Sequence, residues 1–357
     1  MGSLYKNALV NGEVVDILTE NGKIAKIGKG ISGNGIDLNG SMVFPGLVEV
    51  HAHGCIGYDT MDGGRLNEMA YFLAKNGTTS WLPTTMTMGM DTIRNVVNID
   101  LPQTKGANIL GFHLEGPYIS PKHKGAQNEK FIKKPNIDEF ESLRNIKMVT
   151  VAPELDGAID FIKKCGAVVS LGHTDADFDC CTEAIESGAM CLTHTFNAMP
   201  PLHHRNPGPI GAAIDKEIYV QVICDGLHIH RSVIKMLYKT FGADRMVIIS
   251  DSMCATGLKD GTYDFGGQPV KVENSVARTM DGAIAGSTST LFMCVKKAIE
   301  FGIPMNDAFK MASETPARLI GADGSKGRIE VGYDAEFIAL TNDFNIKLTV
   351  VNGEVVK

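Results

Sequence analysis

Five short apolar stretches of this chain each run directly into residues that can bind a metal ion or carry a proton. These stretches end at His51 and His53, at Glu115, at His173, at His194 and at Asp251. A β-strand points successive side chains to opposite faces, and a barrel brings the ends of several strands to one rim. Residues far apart in the sequence can therefore converge on one point, which packing alone does not explain.

Segments typical of strands alternate with segments typical of helices between residues 43 and 251. The predicted strands lie at 43–50, 79–83, 109–115, 147–152, 167–172, 190–194, 219–224 and 246–251. Helix-compatible spacing occurs at 65–75, 136–143, 158–165, 178–187 and 232–241, and a long loop rich in proline and histidine joins the sixth strand to the seventh. This order predicts an α/β protein whose βα units close into a parallel barrel.

Both ends of the chain carry short alternating segments separated by Asn-Gly pairs. The pairs are Asn11-Gly12, Asn21-Gly22, Asn39-Gly40 and Asn352-Gly353. Such pairs supply the positive φ angles of tight hairpin turns. We expect the two ends to pair into one small β domain, formed by residues 1–48 plus 331–357, beside a barrel domain formed by residues 49–330.

Composition narrows the partners and the location of the chain. Its formal charge of −7 argues against a broad nucleic-acid surface. Its eight cysteines lack the spacing of a zinc knuckle, so we expect reduced thiols. There is no signal-like apolar segment at the start and no apolar run near the roughly 20 residues of a membrane span. These features predict a cytoplasmic protein with no nucleic-acid or membrane partner.

The first two strand-end motifs suit metal binding. His51 and His53 are one residue apart, so their imidazoles share one face of a strand, and imidazole suits Zn, Fe, Ni or Co. Glu115 comes just before Gly116-Pro117, a turn that leaves its carboxylate at the rim, where it could bridge two cations. Taken singly, the histidines also fit ordinary polar packing, and Glu115 fits a helix N-cap or a loop ion pair.

His173 and His194 end two consecutive predicted strands, so both imidazoles can reach one ion. Each histidine alone also fits a structural role. Together with Glu115 they predict a His-His-Glu metal site, and the earlier histidine pair would complete a second site beside it. Asp251 ends the last strand, where an unpaired carboxylate is costly. It either caps the following turn or transfers protons in metal-assisted chemistry.

A second group of residues points to an anionic substrate. Arg205 follows the sixth strand and could clamp a phosphate or carboxylate, while Asn197 supplies a further donor. His228 lies just beyond the seventh strand, and Ala285-Gly286-Ser287 permits close approach of the backbone to a ligand. Taken alone, Arg205 could also be an ordinary surface charge, and His228 could be a solvated histidine of a loop.

Several strings carry a resemblance that spans almost the entire chain. They are HAHG at 51–54, HLEGPY at 113–118, LGHTDA at 171–176, THTFNAM at 193–199, CDGLH at 224–228, SDSMCATG at 250–257 and IAGSTST at 284–290. Together they resemble the N-acetylglucosamine-6-phosphate deacetylases of the amidohydrolase superfamily. The resemblance implies a (β/α)8 TIM-type barrel with a small β-sandwich built from both termini, and a homodimer.

The resemblance also implies an amide hydrolase of amino-sugar catabolism, which releases acetate from N-acetylglucosamine 6-phosphate with one or two divalent ions. Zinc is expected first, with Fe, Co, Ni or Mn as alternatives. The implied metal ligands are Glu115, His173 and His194, with His51, His53 and Asp251 for a second ion. Asp251 is implied as general base and acid. The implied substrate contacts are Ala126, Asn197, Ala198, Arg205, His228 and the Ile284, Ala285 and Gly286 backbone, with Arg205 and His228 at the phosphate.

One position departs from the pattern. Family members commonly have histidine after the alanine that matches Ala126, whereas this chain has Gln127. A neutral amide there could still donate a hydrogen bond to the substrate. Two other functions stay open: a metal-dependent amidohydrolase for a cyclic amide or an N-acyl amino acid, and a non-catalytic barrel for assembly or ligand binding.

Overall fold

A parallel barrel forms the centre of the molecule in the computed structural model, which describes residues 2–356. Its eight strands, numbered in chain order, are Leu47–Ala52, Thr78–Pro83, Asn108–Ile109 continued by Phe112–Glu115, Ile146–Val151, Val168–Leu171, Cys191–Leu192, Tyr219–Ile223 and Met246–Ile249. Neighbouring strands pair in parallel along this series. Hydrogen bonds from Asp251 N to His51 O and from His53 N to Ser252 O join strand 8 to strand 1. The predicted barrel is confirmed.

Helices cover the outside of the barrel. They are Leu66–Lys75, Met90–Val97, Ile137–Glu141, Ala158–Lys164, Phe178–Glu186, Gly208–Asp215, Arg231–Arg245, Leu291–Glu300, Met305–Met311 and Glu314–Leu319. Side-chain caps start several of them, for example Asp177, whose carboxylate accepts from Cys180 N. None of the helices described here is long and apolar enough to cross a membrane.

The helix Gly208–Asp215 lies in the segment that we expected to be a loop. Its glycines and proline are poor helix formers, so the helix propensities of its residues did not predict it. Six of its eight residues are buried, so packing stabilises it instead. A Cβ atom on Gly211 would lie only 2.3 Å from a side-chain atom of Pro207, which explains the small residue there.

The two ends of the chain form a β-sandwich. One sheet contains Lys23–Gly28, Glu13–Glu20, Gly2–Val10 and Ile36–Asp37, and the other contains Glu354–Val355, Ile346–Val351, Phe337–Leu340 and Val43–Pro45. A shared core joins the sheets, in which the Tyr5 ring packs edge-on against Phe337 at 4.9 Å. The predicted β-sandwich from both termini is confirmed, and the exact division at residues 48 and 331 stays a prediction.

The single predicted strand at 43–50 is wrong. Val43–Pro45 pairs with Phe337–Leu340 in the sandwich, whereas Leu47–Ala52 is barrel strand 1. The break falls at Gly46, where a Cβ atom would lie 2.2 Å from the Thr79 hydroxyl oxygen. Only glycine allows this close approach, so one apolar run is divided between two sheets.

A three-stranded antiparallel sheet follows barrel strand 8 and was not predicted. It consists of Gly261–Phe265, Gln268–Glu273 and Val276–Thr279. This insert reaches the strand ends, because the Phe265 ring packs edge-on against His53 at 5.3 Å. Gln268 Nε2 also donates to the carbonyl of Ala126 at 2.9 Å. The insert therefore forms one wall of the cavity at the barrel rim.

A short hairpin, Gly54–Cys55 with Tyr58–Asp59, lies after strand 1.

Candidate metal centre

The backbone turns sharply where three of the predicted site residues leave their strands. His173, His194 and Asp251 have φ angles of 47°, 25° and 49°, in the left-handed region that residues other than glycine rarely adopt. Such conformations cost energy and persist where the surrounding structure enforces them. Here they place three polar side chains at the carboxyl ends of strands 5, 6 and 8, on one rim of the barrel.

The Glu115 carboxylate lies at the centre of four imidazoles. Its Oε1 is 3.1 Å from His194 Nε2, 3.2 Å from His51 Nε2 and 3.4 Å from His173 Nε2. Its Oε2 is 3.2 Å from His53 Nε2. Two groups of possible metal ligands therefore share Glu115: one with His51 and His53, the other with His173 and His194, each with ligand atoms within 4.8 Å of one another.

Hydrogen bonds on the far side of two rings fix their tautomers. His51 Nδ1 lies 3.0 Å from Gln221 Oε1, and His173 Nδ1 lies 2.8 Å from the carbonyl of His123. Because these oxygens accept, each Nδ1 carries a proton, and each Nε2, which faces Glu115, is left to bind a cation or a second proton. His173 Nε2 is also 3.0 Å from His194 Nε2, so these two nitrogens need a proton between them or a cation that both bind. The residues present fit a divalent metal ion.

Asp251 lies beside the first ligand group. Its Oδ1 is 3.3 Å from His53 Nε2 and 3.5 Å from His51 Nε2. The Asp251 side chain is 11% exposed, whereas the Glu115 side chain is only 2% exposed. Both carboxylates line the cavity, and Asp251 is the more exposed of the two.

The charges of the centre favour a cation. Burial opposes ionisation of both carboxylates, yet His51 and His53 lower the pKa of Asp251 to about 2, and the histidines hold the pKa of Glu115 well below its ordinary value. Burial likewise opposes the charged form of His53, but Asp251 and Glu115 raise its pKa to about 10. The two carboxylates thus favour protonation of His51 and His53. A divalent ion would replace these protons, so metal binding should release them.

A cavity of about 420 Å³ opens above these ligands. Most of the predicted substrate contacts line it: Ala126, Asn197, Ala198, His228, Ile284 and Gly286. Ala285 is buried behind the wall, where its N–H donates to the carbonyl of Ala277 at 3.1 Å. The structure therefore gathers six of the eight predicted contacts around one space.

Arg205 lies outside this cavity. Its side chain is exposed, with Nη1 2.8 Å from His204 Nε2, and it lines a neighbouring depression together with Asp175 and Asn206. It makes no salt bridge with residues 2–356 of its own chain. Within this chain, Arg205 therefore does not face the metal ligands.

Sequence reasoning assigned no role to two polar residues of the cavity, Lys122 and His123. It suggested that Gln127 could donate a hydrogen bond to the substrate, whereas Gln127 contacts Glu115 in the structure. Lys122 and His123 line the cavity and contact the Asp175 carboxylate at 2.7 and 3.0 Å. Gln127 is buried, accepts from Thr87 N at 2.7 Å and donates from Nε2 to Glu115 Oε2 at 2.6 Å. The basic run after GPYIS at the rim could have indicated Lys122 and His123, but no local pattern predicts a contact between Gln127 and Glu115.

Comparisons with known proteins agree with this geometry. The model of the amidohydrolase family matches residues 42–356. N-acetylglucosamine-6-phosphate deacetylase of Bacillus subtilis (strain 168) is 36% identical over 88% of this chain and 84% of its own length. N-acetylgalactosamine-6-phosphate deacetylase of Escherichia coli O157:H7 is 34% identical over 88% of this chain and 87% of its own. The crystal structure of N-acetylglucosamine-6-phosphate deacetylase from Pasteurella multocida matches with a TM-score of 0.93 at 33% identity, covering 99% of both chains.

Proposed function

This chain belongs to the amidohydrolase family, and we propose that it hydrolyses N-acetyl-D-glucosamine 6-phosphate to D-glucosamine 6-phosphate and acetate. The observation that carries the proposal is the placement of Glu115 between two histidine pairs, with Asp251 beside it and an open cavity above. Deacetylases of phosphorylated amino sugars are its relatives over most of its length.

Glu115, His173 and His194 are the proposed principal metal ligands, and His51, His53 and Asp251 serve a second ion. A bound divalent ion supplies Lewis acidity, which polarises an amide carbonyl and lowers the pKa of water. Zinc suits these nitrogen and oxygen ligands, which also accept Fe, Co, Ni or Mn. The tautomers of His51 and His173 support the assignment, because Nδ1 is engaged elsewhere in both rings and Nε2 faces Glu115.

Asp251 is the proposed general base and acid. Its carboxylate is ionised at neutral pH, because His51 and His53 hold its pKa near 2 against the effect of burial. It can therefore take a proton from the attacking water and later deliver it to the nitrogen of the departing amine. Amide cleavage needs both transfers, since without the second one the nitrogen would have to leave as a strongly basic amide anion.

The remaining site residues bind and orient the sugar in this proposal. Asn197, Ala198, Ala126 and the backbone at 284–286 provide the walls and polar atoms of the cavity. Arg205 is the proposed phosphate contact. It makes no salt bridge within residues 2–356, which leaves its guanidinium free to bind an anionic ligand. Orientation of the acetamide by a remote phosphate would raise turnover as well as affinity.

Activity on a substrate panel tests the choice of substrate. The panel contains N-acetylglucosamine 6-phosphate, its galactosamine epimer, unphosphorylated N-acetylglucosamine, an N-acetyl amino acid and a cyclic amide. We expect the highest kcat/KM on the glucosamine phosphate. The epimer is the second candidate, because a relative of comparable identity is named for it. Preference for an N-acyl amino acid or a cyclic amide would reject both phosphosugars.

Two further features remain part of the proposal. The chain assembles as a homodimer, which light scattering of the purified protein tests. Residues 1–48 plus 331–357 form one domain and residues 49–330 the other. Limited proteolysis tests this division, because cuts between domains should precede cuts within the barrel.

A further inference from the structure

A buried aspartate holds the cavity histidine that follows barrel strand 7. Asp225 Oδ2 lies 2.7 Å from His228 Nδ1, while Asp225 Oδ1 accepts the backbone N–H groups of Leu227 at 2.8 Å and His228 at 3.0 Å. The side chain of Asp225 is only 3% exposed, and that of His228 only 7%. Rotating the carboxylate would break three hydrogen bonds at once, so the pair is fixed in this orientation.

The turn that carries the pair is itself closely packed. Gly226 has a φ of 79°, and a Cβ atom there would lie 2.8 Å from the Phe301 ring. Glycine is therefore required for both the conformation and the packing. The backbone cannot easily move His228 away from Asp225.

This pairing decides what His228 presents to the cavity. Because the ionised carboxylate only accepts, Nδ1 must carry a proton. A neutral ring would then have a bare lone pair at Nε2, which would repel a negatively charged oxygen. Nε2 has no hydrogen-bond partner in the part of the chain that the structure describes, and the ring lines the cavity. Only the imidazolium form offers a donor to an anionic ligand.

We propose that Asp225 is a positioning residue that keeps His228 as an imidazolium whose Nε2–H donates to an anionic oxygen of the bound substrate. The inference rests on the proposed function for the identity of that substrate. The oxygen belongs either to the phosphate or to the acetamide carbonyl, where negative charge develops during attack. Both are negatively charged acceptors, and they lie at opposite ends of the molecule.

The charged groups around His228 agree with this role. Burial opposes the charged ring, but Asp225 and, more weakly, Asp251 raise the pKa of His228 above its ordinary value. Burial also opposes ionisation of Asp225, yet His228 keeps the pKa of that carboxyl below its ordinary value. Cys224 and Cys294 are the other titratable groups beside Asp225, and burial raises both thiol pKa values, so they stay neutral.

The decisive substitution is Asp225→Asn, tested in zinc-loaded protein by NMR of the histidine ring nitrogens. Asparagine has the shape of aspartate and can still accept the two backbone N–H groups, so the turn is retained. It removes the negative charge, and we expect the pKa of His228 to fall by about 1 to 3. Asp156→Asn is the matched control, because it removes an exposed carboxylate paired with Lys134 and should leave the pKa of His228 unchanged.

A double-mutant cycle tests whether Asp225 acts through His228. We expect Asp225→Asn and His228→Gln each to lower kcat/KM at pH 7.5 by about tenfold or more, because each replaces the charged donor with a neutral one. The double variant should be no worse than His228→Gln alone. Losses that add in the double variant, or an unchanged pKa of His228 in Asp225→Asn, would overturn the proposal.

The identity of the anionic oxygen follows from two probes. D-glucosamine 6-phosphate should shift the His228 Nε2 resonance more than D-glucosamine does if the phosphate is the acceptor. If the acetamide oxygen is the acceptor, Asp225→Asn should reduce kcat/KM equally for phosphorylated and unphosphorylated N-acetylglucosamine. No response of His228 to either probe, together with wild-type turnover in Asp225→Asn, would reject the role. An inactive wild-type enzyme with a raised His228 pKa would instead reject the proposed function.

Discussion

Replacing Gln127 with methionine should weaken metal binding although Gln127 is not itself a predicted ligand. The backbone N–H of Thr87 donates to Oε1 of Gln127, which fixes the orientation of the amide and points Nε2 at Glu115 Oε2. The same Oε2 lies 3.2 Å from His53 Nε2. Gln127 therefore sets the direction of the carboxylate that the two ligand groups share. Methionine keeps a similar volume and removes both hydrogen bonds.

The expected size of the effect follows from these contacts. Loss of a hydrogen bond to a buried carboxylate costs about 1.5–3 kcal/mol, and an unpaired buried Thr87 N–H costs about 1–3 kcal/mol. We expect the free energy of unfolding of the metal-free protein to fall by about the sum of these two costs. Loss of a partner that orients a metal ligand typically lowers metal affinity by about 10- to 100-fold, and we expect that loss here.

Zinc affinity, measured by competition with a chromogenic chelator, is the assay for this change. Gln268→Met is the matched control: it removes a glutamine that donates to the carbonyl of Ala126 but touches no metal ligand, so affinity should be retained. Gln127→His restores a donor and should recover part of the loss. Wild-type zinc affinity and an unchanged zinc content in Gln127→Met would refute the argument.

Three other outcomes are expected. Asp251→Asn should keep the ion that we propose at Glu115, His173 and His194 and lower turnover by several orders of magnitude, so near-normal kcat with that ion bound would contradict the proton-transfer role. Arg205→Ala should reduce kcat/KM far more for N-acetylglucosamine 6-phosphate than for N-acetylglucosamine, and equal losses would remove Arg205 from the phosphate site. The pKa of Asp225 is lower in the folded protein, so its carboxylate stabilises the fold above about pH 4. The pKa of His228 is higher in the folded protein, so its stabilising contribution is complete below about pH 6.5 and is lost as the pH rises through that folded pKa. Urea unfolding should therefore show the largest advantage of wild type over Asp225→Asn between about pH 4.5 and 6.5, and an advantage that grows toward pH 9 would contradict this sign.

The strand-end residues were predictable because their positions follow from local pattern. An apolar run that ends in His173 or His194 fixes both the strand and the rim at which the side chain emerges, and the barrel closure then brings the ends together. The chain confirms this for Glu115, whose carboxylate lies within 3.4 Å of the nearest nitrogens of three histidines. Proximity in the fold was therefore encoded by alternation along each strand.

Other parts could not be predicted from local pattern. The break at Gly46 depends on the Thr79 side chain of the next strand, and the helix at 208–215 depends on packing of small residues. The position of Arg205 outside the cavity could not be predicted either, because a loop residue carries no strand register. Its contact with the phosphate stays a prediction. The contact between Gln127 and Glu115 likewise depends on how two loops meet.

Metal-dependent release of acetate tests the central claim most directly. Purified protein of known metal content is incubated with N-acetyl-D-glucosamine 6-phosphate, before and after removal of the metal with a chelator and after reloading with zinc. We predict acetate in equal amounts with D-glucosamine 6-phosphate, loss of activity on chelation and recovery on reloading. Full activity in chelated protein shown to contain no metal, or no acetate from any metal-loaded sample, would contradict the account.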